Sequence, residues 1–316
     1  MGTPEFAVPS MIAIHENFEL VGVITAPDKK AGRGHKLQAS AVKKSALDLN
    51  LPILQPTNLK DPEFQDELRG LEADVFVVVA FRMLPESVWS MPKLGTINLH
   101  ASLLPQYRGA APIHWAVMNG EPHSGLTTFL IRHEIDTGAI LLQKEMRIGE
   151  KETTGSLHDR MMEKGGSLLV DTLNAFAEGK LKPKPQEEFE LSQIKKAPKL
   201  RKPMFYINKD WEAEKIFNHI RGLSPYPAAL LPVENPEKER MDLKIYLTEA
   251  PILEGKNLES GLIREGNRLF LQAKNGRLEI LEMQIPGKKR LKTQEILNGM
   301  DINSGWKWLE APSTSQ

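Results

Sequence analysis

The sequence predicts an α/β domain built on a mostly parallel sheet, then a charged linker, then a small β-barrel. Three observations predict it. Short apolar runs alternate with helix-like segments through the first half, as in strand–helix–strand units. A proline-rich, highly charged stretch covers Gly179 to Pro203, which reads as a linker. Beyond it, short alternating strands follow one another with an Asn275-Gly276 turn, the spacing of a small barrel. The boundaries are 1–180 for the first domain, 181–203 for the linker and 204–312 for the second domain.

Each element has its reason. Thr3-Pro4-Glu5 reads as an N-cap, a first-turn proline and an acid at the positive helix end. Such an opening normally follows a strand, yet only two residues precede it, so the first strand of the sheet is expected to be missing. Glu19 to Thr25, Ala73 to Phe81 and Gly95 to His100 are apolar runs suited to strands covered on both faces. Leu126 to Ile131 and Ala139 to Met146 are close enough to pair as a hairpin. Leu157, Met161, Leu168, Leu169, Leu173 and Phe176 have the spacing of a helix from about Thr154 to Ala177. After the linker, Ala213, Ile216, Phe217 and Ile220 mark an amphipathic helix stopped at Gly222 and Pro225. Leu243 to Leu247, Arg268 to Ala273 and Leu278 to Gln284 are the barrel strands.

Composition narrows the chemistry. Lys+Arg and Asp+Glu are equal at 41 each among 316 residues, so no global field points to nucleic acid or membrane, and any RNA contact must come from a local patch. The chain has no cysteine, which removes thiol nucleophiles and Cys-ligated zinc. The run Ala73 to Phe81 is too short to span a bilayer, and no secretory signal opens the chain. A cytoplasmic protein is expected.

The chemistry concentrates in Ile97 to Ile113 and Glu134 to Leu141. Asn98 and His100 stand two apart on a strand and so share a face. Asp136 lies in a turn-forming IDTG sequence after a separate strand. Ligands of open α/β sheets bind beyond the strand ends, where both segments stop. Any one of the three alone is better read as structural. Together, an amide, an imidazole and a carboxylate suit acyl transfer to an amine, with donors for an oxyanion and an acid to orient the ring. A metal site from His100, His114, His133 and Asp136 is disfavoured, because the helical His spacing of zinc motifs is absent. Pro27 to Lys44 holds six Lys or Arg around Gly32-Arg33-Gly34, either a solvated loop or a cation offered to a polyanion. It carries neither a phosphate-loop nor a dinucleotide fingerprint. Gly287 to Lys292 is a second basic cluster, usually a solvated face but compatible with an RNA backbone.

These segments resemble, in order and spacing, the methionyl-tRNA formyltransferase branch of the 10-formyltetrahydrofolate-dependent formyltransferases. The resemblance runs through GTPEFAVPS, PDKKAGRG, INLHASLLPQYRGAAPI, IDTGAIL, APKL, IRGLSPYP and GKKRLK, nearly the whole chain. It implies a doubly wound, Rossmann-like catalytic domain joined to an oligonucleotide-binding-like (OB-like) barrel. It implies Asn98, His100 and Asp136 as catalytic residues, and Ser102, Leu103, Leu104 and Pro105 lining the folate site. Arg33, Lys36, Lys288, Lys289 and Arg290 would contact initiator methionyl-tRNA. The implied formyl donor is 10-formyltetrahydrofolate, with no metal, and the protein is expected to be a monomer. Relatives carry about five to ten residues of strand before the equivalent of Met1, so Met1 is expected to be an internal methionine of a longer product. The rival readings are an N-formyltransferase for a sugar nucleotide or other small amine, and a folate- or RNA-binding protein without activity.

Overall fold

The computed structural model describes all residues except 32–35, 187–190, 301, 303–304 and 313–316. Two compact units interleave along the chain. The first comprises Met1–Gly109, Ser124–Met146 and His158–Lys196; the second comprises Ala110–His123, Arg147–Leu157 and Ala197–Gln316. The sequence reading expects 1–180, 181–203 and 204–312 in succession, whereas these units take their members from alternating stretches of the chain. Residues assigned to the linker join the first unit, where Lys184 exchanges two backbone hydrogen bonds with Ile140 (2.9 and 2.8 Å).

In chain order, a 3-10 turn (Glu5–Ala7) leads into α1 (Val8–Asn17). Thr3 is not the cap, because the turn opens one residue later: Pro4 holds that place, its carbonyl accepting from the Ala7 amide at 3.1 Å. Then come β1 (Val23–Ile24), β2 (Lys29–Ala31), β3 (Lys36–Gln38), α2 (Ala41–Asp48), β4 (Ile53–Leu54) and α3 (Pro62–Gly70). Ser40 caps α2 by accepting from the Lys43 amide, and Asp61 caps α3 from Glu63. They are followed by β5 (Phe76–Val79), α4 (Glu86–Trp89), β6 (Thr96–His100) and β7 (Arg108–Gly109). Next are α5 (Pro112–Met118), β8 (His123–Leu130), β9 (Ile140–Arg147), α6 (Thr154–Ala177) and β10 (Lys196–Ala197).

The sheet of the first unit comes in two pieces. One is the parallel pair β1–β4; the other has the order β5-β6-β8-β9, with β5–β6 parallel and β6–β8 antiparallel. Among the described residues, Gly2 is the one whose backbone links them. Its amide donates to the Ile24 carbonyl (3.1 Å), and it bridges Val79 in parallel fashion. Behind Met1, a cavity of about 580 Å³ runs between residues 19–24 and 73–79. The run Glu19 to Thr25 accordingly forms only two residues of strand, since one of its edges faces this cavity.

The second unit contains α5 and, after it, α7 (Ala213–Leu223), β11 (Ala229–Glu234), β12 (Arg240–Thr248), β13 (Ile252–Leu253) and β14 (Gly261–Glu265). It continues with β15 (Arg268–Ala273), β16 (Gly276–Gln284), β17 (Leu291–Lys292), α8 (Thr293–Gly299) and β18 (Lys307–Trp308). The strands form one sheet of order β14-β15-β16-β12-β11-β18, to which β13 and β17 add along β16. Its core is apolar, with Ile216, Ile220, Leu231, Leu243, Leu271 and Ile280 all buried. The β15–β16 turn is one residue earlier than expected. Ala273 pairs with Gly276, so Lys274 and Asn275 make the turn. Gly276 serves another purpose: a Cβ there would meet the Ile252 carbonyl of β13 at 2.4 Å. Gly222 is similarly required, since its Cβ would fall 2.8 Å from the Met118 nitrogen of α5.

Candidate active site

β6 carries the first two candidate side chains. Its residues Asn98 and His100 stand opposite Phe129 and Thr127 of β8, and alternation sends both to one face. His100 is buried, its ring edge-on to Phe129 at 6.5 Å. Its Nε2 lies 2.9 Å from the Tyr107 carbonyl. A carbonyl only accepts, so Nε2 carries the proton and Nδ1 is left to face the site. The Asn98 carboxamide is half-buried and bonds to no protein group among the described residues. Its N–H is available to a ligand carbonyl.

Asp136 enters from the loop between β8 and β9. Its backbone is left-handed (φ 53°), which an aspartate tolerates better than most residues. The carboxylate Oδ2 accepts from the Gly109 amide at 2.8 Å and stands 3.7 Å from His100 Nδ1. That separation is too long for a hydrogen bond. The sequence reading had Asp136 fix the His100 ring. The ring is instead fixed through its other nitrogen by Tyr107, and Asp136 supplies charge beside Nδ1.

The Asp136 loop and the segment after His100 are held by three residues the sequence reading passed over, Gln186, Thr127 and Gln143. Gln186, 2% exposed, donates to the carbonyls of Gly138 (2.6 Å) and Asp136 (3.2 Å). Its Oε1 accepts from Arg108 Nη2 (2.8 Å) and Nε (3.2 Å). Gly138 has no room for a side chain, as a Cβ would lie 1.6 Å from the Leu130 carbonyl. Buried Thr127 ties down the segment after His100. Its hydroxyl donates to the Ser102 carbonyl (2.6 Å) and accepts from the Leu104 amide (3.1 Å). Gln143 Nε2 adds bonds to the Leu104 carbonyl (2.9 Å) and to Thr127 (3.0 Å).

Of the residues expected to line a folate site, Ser102, Leu104 and Pro105 are buried and Leu103 is half-buried. The Ser102 hydroxyl is committed to the Gln106 carbonyl at 2.6 Å, and the Leu104 side chain packs with Phe129 and Ile140. These two side chains shape the loop, and much of its backbone is committed to Thr127, Gln143 and the Gln106 amide, so Leu103 is the side chain left half-buried at its edge. Arg33 lies outside the described residues, and Lys36 begins β3. Lys288 and Lys289 are exposed beyond β16. Arg290 is tied to Glu282 through Nε (2.7 Å) and lies 4.4 Å over the Tyr246 ring, so it is less available than its neighbours. His133 is exposed, and His114 meets the Tyr226 carbonyl. Among the described residues, no three His, Cys, Asp or Glu converge as a metal site, and no helix is long and apolar enough to cross a membrane.

Comparison with known proteins bears on this geometry. The formyl transferase family model matches residues 4–173, and the formyl transferase C-terminal domain model matches residues 199–301. The chain belongs to the formyltransferase family. It is 48% identical over 311 residues to the methionyl-tRNA formyltransferase of Bacteroides fragilis, covering 97% of this chain and 96% of that one. The corresponding protein of Flavobacterium johnsoniae is 50% identical, covering 96% of each. Among solved structures, the sugar 3N-formyl transferase WlaRD, determined with dTDP and 5-N-formyl-THF, has a TM-score of 0.65 at 21% identity. It covers 91% of this chain and 97% of that one. The Helicobacter canadensis N-formyltransferase has a TM-score of 0.66 at 18% identity, covering 88% and 96%. These structures share the fold, a Rossmann-like formyltransferase domain followed by an all-β domain.

Family membership gives the missed residues their place. Thr127 and Gln143 are polar positions within otherwise apolar strands, a signal that the sequence does carry. Gln186 sits in a charged, proline-rich stretch that offers no such contrast. Its role arises from a long-range approach to the Asp136 loop.

Proposed function

We infer that this chain transfers the formyl group of 10-formyltetrahydrofolate to the α-amino group of methionyl initiator tRNA. The observation that carries this reading is near-full-length likeness, through both domains, to relatives bearing the name methionyl-tRNA formyltransferase.

The site supplies the required chemistry. Attack of the neutral amine on the formyl carbon makes a C–N bond and puts a negative charge on the formyl oxygen. The Asn98 amide donates to that oxygen. His100, with Nε2–H held by Tyr107, donates from Nδ1 when that nitrogen is also protonated. Asp136, 3.7 Å away, stabilises the resulting imidazolium by charge. Its Oδ2 is engaged by the Gly109 amide, leaving Oδ1 to take, through water, the proton the amine sheds. Collapse breaks the bond from the formyl carbon to N10, and N10 leaves with the proton that Asp136 returns through water. An aminoacyl amine titrates near neutrality, so no strong base is needed.

Arg33 and Lys36 of the basic loop, with Lys288 and Lys289, are assigned to the tRNA. Such contacts weaken steeply with salt.

The test is formyl transfer from 10-formyltetrahydrofolate to methionyl initiator tRNA, with an amino-sugar nucleotide as a parallel acceptor. Formylation of the tRNA, lost with Asn98→Ala, is expected. Transfer to the amino-sugar nucleotide alone would overturn the assignment.

A further inference from the structure

We propose that Asp28 is a positioning residue for the tRNA: its carboxylate, clamped between Lys43 and Gln55, fixes the root of the basic β2–β3 arm. The inference rests on the proposed function for the identity of the substrate, and on the geometry of the root for the rest.

β2 and β3 form a two-stranded sheet of their own. Three residue pairs hold it: Lys29 with Gln38, Lys30 with Leu37, and Ala31 with Lys36. A hairpin of that size is marginal in water by itself. It also buries little, since Lys29, Leu37 and Gln38 are exposed, Leu37 at 69%. Its direction must therefore be set where it joins the rest of the unit.

The root is fastened on both sides. Thr25 on the outgoing leg and Ser40 on the returning one share a hydroxyl–hydroxyl hydrogen bond of 2.8 Å. Asp28 engages both of its carboxylate oxygens. Oδ2 accepts from Lys43 Nζ of α2 at 2.8 Å, and Oδ1 accepts from Gln55 Nε2, just after β4, at 2.9 Å. Gln55 Nε2 also donates to the Ala26 carbonyl at 2.9 Å. Asp28 thus joins the outgoing leg to α2 and to the end of β4. The bonds from Lys43 and Gln55 hold its carboxyl below the usual carboxylate range.

Charge distinguishes an anchor from a mere counter-ion. Asp28 is the one acid between Pro27 and Lys44, a stretch with six Lys or Arg. A carboxylate there repels a polyanion, so if Asp28 acted only as a surface charge, removing it would tighten tRNA binding. Removing an anchor does the opposite. An arm that points correctly for only a fraction of the time raises the apparent dissociation constant by the inverse of that fraction. Once the tRNA is bound, the chemistry at Asn98 and His100 proceeds as before.

The experiment measures steady-state formylation of methionyl initiator tRNA by the full chain, Asp28→Asn and Gln55→Met, together with amide exchange in β2 and β3. Asp28→Asn keeps the side-chain shape and adds one net positive charge. Gln55→Met leaves the charge unchanged and serves if the first variant fails to fold. In both variants KM for the tRNA is expected to rise about fivefold or more, with kcat and the folate KM within about twofold of the parent. The β2–β3 amides should exchange roughly tenfold faster. A tRNA KM that falls or stays level in Asp28→Asn would overturn the proposal. So would an equal rise in the folate KM, which marks a general loss of structure. If the parent formylates no tRNA, the proposed activity fails on its own, and unchanged exchange in the two variants would overturn the anchor separately.

Discussion

Replacing Asn98 by alanine separates catalysis from stability. The Asn98 side chain is half-buried and bonds to no protein group among the described residues, so removing it leaves no orphaned partner. Substitutions of that kind cost within about 1 kcal/mol, which moves Tm by only ~2–4 °C in a chain of this size. If Asn98 acts as proposed, as one of two donors to the developing oxyanion, the same change costs about 2.7–4 kcal/mol, or ~10²–10³ in kcat. The interaction belongs to the transition state, so kcat and kcat/KM should fall together. His100→Ala makes the contrast. It loses the Tyr107 bond and the Phe129 edge contact, adding about 1 kcal/mol for the hydrogen bond and about 1 kcal/mol for the ring pair. Steady-state formylation kinetics and thermal melts on both variants are the assay. If Asn98→Ala stays within tenfold of the parent kcat, or if its loss of activity follows a collapse in Tm, the reasoning is refuted.

Gln186→Ala removes the side-chain donor to two carbonyls of the Asp136 loop and one acceptor of the Arg108 guanidinium; kcat should fall by about tenfold or more, and urea unfolding should register about 2–3 kcal/mol of lost stability. Gly138→Ala drives a methyl group into the Leu130 carbonyl, so soluble yield and the unfolding midpoint should both drop sharply. His219 is buried, its Nε2 donating to the Phe205 carbonyl at 3.1 Å, and desolvation lowers its pKa from 6.5 to about 4. The unfolded chain therefore takes up the proton first, so this contribution is complete above about pH 6.5 and fades as pH falls towards 4. Denaturant melts between pH 7 and 4 should show that loss, and His219→Phe should flatten it.

The parts of the fold legible in the sequence are those dictated by local pattern. The α6 periodicity marked Thr154–Ala177, and the alternating run Arg268–Ala273 marked β15. Pattern fails where a neighbour decides. Ile53–Leu54 is too short to announce itself and becomes β4 only because β1 lies alongside. The Asn275-Gly276 signal misplaced its turn by one residue because the glycine answers to β13 rather than to the turn. In the site, Asn98 and His100 were readable from strand alternation beside a helix-breaking loop. The contact of His100 Nε2 with Tyr107 was not, because it depends on how the chain doubles back after Pro105. Gln186 was invisible for the same reason: its partners Arg108, Asp136 and Gly138 lie far away in sequence.

The nested order of the two units constrains how the protein can be cut or assembled. Helix α5 is encoded between β7 and β8 of the first unit, yet Gly222 of α7 has given up its side chain to let Met118 of α5 come close. The Trp115 indole likewise donates to the Pro198 carbonyl at 2.8 Å. A fragment of 197–316 would expose the face of α7 that α5 covers, and a fragment ending before the barrel would carry α5 without its cover. Neither half is a separable module. A nascent chain cannot complete its second unit until the last strands emerge, and by then α5 has waited through most of synthesis. Evolutionary exchange of the second unit between relatives would need its three segments exchanged together, with all five junctions kept in register.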